Sequence, residues 1–181
     1  MWAVMSSLVV ALAIASQGTT VPDFSGRWTA DAGKSARLAR EVSGNSTAAV
    51  FGETCVITQT KDTLTLDIVA GGLKLQVVYK LDGTPSTNRS PGPPGQPDVT
   101  IVSTTQWNGP VLHITTKSES VLDGVTVPVE SVRKMWLTAD GDLAVERRGT
   151  PERIVSTAWT VYVAAPSRAA RRNSALIGFE R

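Results

Sequence analysis

Between Thr63 and Leu81 the chain alternates strictly between apolar and polar residues. Leu64, Leu66 and Ile68 interleave with Thr63, Thr65 and Asp67. Beyond Gly71-Gly72, the apolar residues Leu73, Leu75, Val77, Tyr79 and Leu81 interleave mainly with Lys74, Gln76 and Lys80. A period of two places successive side chains on opposite faces of an extended strand, whereas a helix repeats its face about every 3.6 residues. The Gly-Gly pair between the runs reads as a tight hairpin turn. One hairpin with a single apolar face is not stable alone, so this pattern demands more strands. The sequence supplies them. Val99 to Trp107 and Val111 to Ser118 flank Asn108-Gly109; Val125 to Leu137 and Leu143 to Arg147 flank Ala139-Asp140-Gly141-Asp142; Ile154 to Val163 follows Thr150-Pro151. With the strand that carries Trp28, this makes about nine strands joined mostly by short turns. Consecutive hairpins form a meander, and closing the meander removes its exposed edges. The expected fold is all-β, an antiparallel up-and-down barrel of about 8–10 strands. A β-sandwich is the alternative. Asp31 to Val42 is the one helical stretch, with Ser35 as candidate cap and Ala36, Ala39 and Val42 along one side. Gly83 to Pro97, with five prolines, is expected to be a long surface loop within the domain.

The first residues predict export. Residues 1–16 carry no charge and contain the apolar run Leu8 to Ala15, ending in the small-x-small triplet Ala13-Ile14-Ala15 of a secretory signal peptide. The run is short for a membrane span, which takes roughly 20 apolar residues. The expectation is a periplasmic or extracellular protein with no stable membrane insertion once the leader is removed. The barrel domain then covers 22–165, and 166–181 forms a basic tail. Cys55 is the only cysteine, so no intramolecular disulfide is available and the fold rests on packing. Residues 23–165 hold 14 basic and 15 acidic side chains, while the tail adds four arginines against one glutamate. A near-neutral body argues against nucleic acid as a partner.

Catalytic signals are sparse. A single histidine, His113, excludes a multi-histidine metal centre, and no Gly-x-Ser-x-Gly elbow or Gly-rich phosphate loop is present. Glu130 and Glu146 could pair as acid and base in principle, but both alternate onto a polar face. The reading is a non-enzyme without cofactor or metal. Gly26, two residues before Trp28, lets the first strand bend so that the indole closes one end of the barrel. Leu66, Leu75, Val77 and Tyr79 line one wall, either filling the core or facing a ligand cavity. Trp107 and Trp136, next to turns, either rim the open end or pack in the core. Arg133 shares parity with Val129, Met135 and Leu137, and Arg147 with Leu143 and Val145, so both charges are expected to point inward. Such a charge needs a partner.

Asp23-Phe24-Ser25-Gly26-Arg27-Trp28 followed by Lys34-Ser35 resembles the start of the lipocalin-like domains of small exported bacterial proteins. So do Tyr79 to Gly83, Trp107-Asn108-Gly109, Trp136 to Gly141 and Val145-Glu146-Arg147, in that order along the chain. The resemblance implies a calycin-type barrel with an internal cavity. It also implies that a basic side chain from a late strand lies over the first-strand Trp, which assigns Arg147 to Trp28 as a closure contact. Arg133, beside Met135, is then left as an anchor for the anionic end of a ligand. The function expected is binding of a small apolar or amphipathic molecule at Leu66, Leu75, Val77, Tyr79, Trp107, Arg133 and Met135. A protein-interaction or envelope-structural module with a filled barrel is the alternative.

Overall fold

The computed structural model describes residues 21–41, 49–91, 98–122, 124–151, 155 and 157–165; the leader, the basic tail and Val42 of the expected helical side lie outside them. Ten antiparallel strands form one sheet: β1 (Gly26–Asp31), β2 (Thr54–Gln59), β3 (Thr63–Ala70), β4 (Leu73–Lys80), β5 (Ser86–Ser90), β6 (Val99–Asn108), β7 (Val111–Leu122), β8 (Val125–Leu137), β9 (Leu143–Thr150) and β10 (Ala158–Ala164). The spatial order is β4-β3-β2-β1-β10-β9-β8-β7-β6-β5. This is the sequential meander expected from the hairpins, with the first and last strands paired. One helix, α1 (Ala32–Glu41), follows β1.

Register sets the inner face. Trp28 stands opposite Cys55 and Ala164, Ile57 opposite Leu66, and Leu66 opposite Val77. On the other half Tyr162 faces Leu143, Val145 faces Met135, and Met135 faces Leu112. At one end of the barrel these side chains merge with Phe24, Leu64, Tyr79 and Ile114 into a buried core. The segment before β1 plugs that end. Phe24 N–H donates to Gln59 Oε1 (3.0 Å), Gln59 Nε2 to the Pro22 carbonyl (2.9 Å), and Trp28 Nε1 to the Phe24 carbonyl (2.9 Å). The Phe24 and Trp107 rings stack with centroids 5.8 Å apart. Gly26 has φ +152°, a backbone conformation that residues with a side chain rarely adopt, while a Cβ there would meet the Trp28 indole nitrogen only at contact distance, 3.4 Å.

The helix packs against β10. Its cap is Asp31, whose Oδ1 accepts Lys34 N–H (2.8 Å), and not Ser35 as the sequence suggested. Ser35 lies inside the helix, where its hydroxyl ties the helix to the sheet. It donates to the Asp31 carbonyl (2.6 Å) and accepts Val161 N–H (2.9 Å), continuing the β1–β10 ladder by one side chain. Lys34 pairs with Asp142 across the β8–β9 turn.

The expected loop at 83–97 contains a strand. β5 pairs with β6 from Ser86↔Ser103 to Ser90↔Val99 and lies between Pro85 and Pro91, whose missing N–H groups are tolerated at strand ends. Its inward residues are Ser86, Asn88 and Ser90, so the apolar alternation that marks the other strands is missing. The sheet ends at β4 and β5, where side chains replace the ladder. The Asn88 carboxamide both accepts Val78 N–H and donates to the Val78 carbonyl (2.9 Å each). Ser86 Oγ accepts Lys80 N–H (2.7 Å), and Thr105 Oγ1 donates to the Lys80 carbonyl (2.5 Å). The Asn88 carboxamide is thus engaged in closing the barrel.

Two outcomes follow. Trp28→Ala is expected to lose about 3–5 kcal/mol of stability by chemical denaturation, as for other buried large aromatics; a loss under about 1 kcal/mol would mean that the plug is not structural. Asn88→Ala should speed amide exchange at Val78 and Lys80 while leaving the β7–β8 amides protected. Uniform exchange changes in the two regions would deny the seam a local role.

Candidate functional site

The inner face changes character away from the plug. There the inward residues of β5 to β8 include Asn88, Ser90, Ser103, Thr116, Ser118 and Ser131, opposite the apolar Ile68, Leu75 and Val77 of β3 and β4. Ile68, Leu75 and Val77 are half-buried, whereas Leu64 and Leu66 nearer the plug are fully buried. The barrel is therefore a cup with a solid base and a partly accessible, half-polar mouth. The strap ahead of β2 covers one side of this mouth. Val50 N–H donates to Thr160 Oγ1 (3.1 Å), Phe51 N–H donates to Tyr162 Oη (2.6 Å), and that hydroxyl donates to the Gly52 carbonyl (3.1 Å). Burial pushes the Tyr162 phenol up, so it stays a neutral hydroxyl able to bridge both groups. Beyond β9, Val155 packs on Gly149, where a Cβ would meet Val155 Cγ1 at 2.3 Å; only glycine admits this covering.

Arg133 and Arg147 face inward at one level, as register partners on β8 and β9. Paired Cα atoms in an antiparallel ladder are about 4.5–5.5 Å apart, so the two cations are neighbours. Arg133 donates through Nη1 to Thr116 Oγ1 (3.0 Å), and Thr116 shares a 3.0 Å hydrogen bond with Ser103. The Nε atom of each arginine is buried without a hydrogen-bond partner. Burial and the adjacent Arg133 charge pull the Arg147 pKa down. Among the described residues no acid forms an ion pair with either arginine, and the ion pairs lie elsewhere. Tyr79 feels the same field: burial pushes its phenol up, and the Arg133 charge opposes this.

The sequence-derived residues divide among three places. Leu66, Tyr79 and Met135 are packed in the core, each no more than 4% exposed; Leu75 and Val77 line the mouth with Arg133. Trp107 is at the plugged base against Phe24, not at a rim, because the Asn108-Gly109 turn lies at that end. Trp136 falls on the outer face, in register with Ala144. The expected stacking of Arg147 on Trp28 does not occur. Trp28 pairs with Ala164 and Arg147 with Ala158, six residues apart on β10, which is about 20 Å along a strand. The indole is held by the Phe24 carbonyl instead. Sequence reasoning missed Thr116 and Ser103, polar residues whose inward parity carried no hydrophobic signal, and Asn88, which lies in the stretch read as a loop.

The remaining candidates have other roles. Glu146 is buried on the outer face, where it pairs with Lys134 (3.3 Å) and Arg148; Glu130 pairs with Lys117 at 3.7 Å. His113 lies on the outer face of β7 beside Gln106. Burial pushes the Cys55 thiol up to about 12, so at neutral pH it is protonated and inert as a nucleophile. Among the described residues no group of three or more His, Cys, Asp or Glu could hold a metal, and no helix is long and apolar enough to cross a membrane. The chain matches no family model and no curated protein.

Proposed function

We propose that this chain is an exported, non-catalytic barrel of lipocalin-like type that holds a small amphipathic molecule in its mouth. The observation that carries this reading is the pair of inward arginines, each with an unpartnered buried Nε, on a barrel interior whose other side carries the apolar wall of Ile68, Leu75 and Val77. A buried N–H donor of a cation left without an acceptor is unfavourable. An anionic group would supply the missing acceptor, and its apolar body would cover the half-buried wall. The motif order from Phe24 to Arg147 supports the family, and the leader supports export. Mass spectrometry of the exported protein should find an N-terminus near Ser16; intact Met1 in the periplasmic or extracellular fraction would refute cleavage.

A fatty-acid-like probe should bind the native protein more tightly than Arg133→Met by roughly 1–3 kcal/mol, the range for a lost charge-assisted hydrogen bond. Equal affinity with unchanged stability would remove Arg133 from the site. One observation favours a second reading, an interaction module. Val102 and Val121 are exposed on the outer face of β6 and β7, and both border a concavity of about 900 Å³. Absence of any probe binding would turn attention to that face.

A further inference from the structure

We propose that the group recognised by Arg133 and Arg147 is a phosphomonoester dianion. This deepens the amphipathic-ligand reading and rests on it. Two guanidiniums at one level of the inner face carry two positive charges, and among the described residues no acid offsets either of them. A single carboxylate has one charge and two oxygens. Bound to one arginine, it leaves the buried Nε of the other without an acceptor; shared between them, it leaves a net positive charge. A phosphomonoester carries about −1.5 to −2 charges at neutral pH and three acceptor oxygens, enough to bridge both arginines and neutralise them.

The surroundings fit the same group. Thr116, itself held by Ser103, fixes one nitrogen of Arg133 and leaves Nε as the free donor; Arg147 also keeps its Nε free. The planar guanidinium fork suits a tetrahedral oxyanion better than a point-charge ammonium would. The other inward groups of the adjoining strands are Met135, Val145, Ser131, Ala158 and Thr160, and none of them titrates near neutrality. Tyr79, from β4, is the titratable group coupled to Arg133, and it remains neutral there. The pH response of binding therefore belongs to the ligand.

Calorimetry should compare dodecyl phosphate, dodecanoate and inorganic phosphate on the native protein, Arg133→Met, Arg147→Met and the charge-preserving Arg147→Lys. Native protein at pH 8 is expected to bind dodecyl phosphate about tenfold or more tightly than dodecanoate, as one added charge-assisted hydrogen bond allows. The preference should shrink at pH 5, below the second phosphate pKa of about 6. It should vanish in both Met variants and weaken in Arg147→Lys, whose retained charge separates lost recognition from misfolding. Inorganic phosphate should bind weakly at the same site if the source is a lipid-like headgroup, and as tightly as dodecyl phosphate if free phosphate is the ligand. Equal binding of the two amphiphiles, each weakened by Arg133→Met, would overturn the dianion and leave the amphipathic reading standing. An undiminished preference in Arg147→Met would also overturn it. Arg-dependent binding of inorganic phosphate alone would overturn the amphipathic reading and keep the dianion; no binding by any of the three would overturn both.

Discussion

The pairing of the first strand with the last makes this sheet a container. Trp28 to Asp31 run antiparallel to Ala164 to Val161, and Ala165 N–H adds a bond to the Arg27 carbonyl (2.8 Å). Without that ladder the hairpins would form an open sheet with apolar residues along one face. With it, the parity of every strand acquires a meaning, inside or outside. The contact joins residues more than a hundred positions apart, so its loop-closure entropy is large, though it grows only slowly with length. The plug of Phe24, Trp28 and Trp107 offsets that cost with dense apolar burial at the same end.

The two halves of the interior obey different physics. Near the plug, Leu64, Leu66, Leu112, Ile114 and Met135 exclude water, and stability comes from close packing. Toward the mouth, hydroxyl side chains and two cations replace the aliphatic groups. That arrangement is poor for stability, because two half-buried like charges, each with a buried N–H lacking an acceptor, oppose folding. A chain optimised only to fold would carry methionine or leucine at 133 and 147. Departure from local consistency is expected where binding is performed.

Much of the barrel was legible because period-two alternation is a direct imprint of a sheet with one dry face. The strand at Val125–Leu137 and the Gly71-Gly72 turn could be read from residues alone. What escaped had a physical cause in each case. β5 turns serine and asparagine inward, so its pattern resembles a loop, and its flanking prolines strengthen that impression. The inward direction of Arg133 and Arg147 followed from parity, but the level of each along the barrel did not. That level depends on the stagger between neighbouring strands, which turn lengths and residue types leave undetermined. Arg147 was therefore assigned to the wrong end, while its partnership with Arg133 emerged only from the register.

The substitution of side chains for a ladder between β4 and β5 gives the wall a clasp. Four hydrogen bonds, from Asn88, Ser86 and Thr105 to the backbone of Val78 and Lys80, hold it shut. At about 0.5–1.5 kcal/mol each, releasing all four would raise the energy by roughly 2–6 kcal/mol. That is well below the energy of parting a full ladder and within the range of local openings in native proteins. The seam between β4 and β5 is thus the most weakly fastened line of the wall. Any parting of the wall would begin along this line, with all nine strand pairings kept.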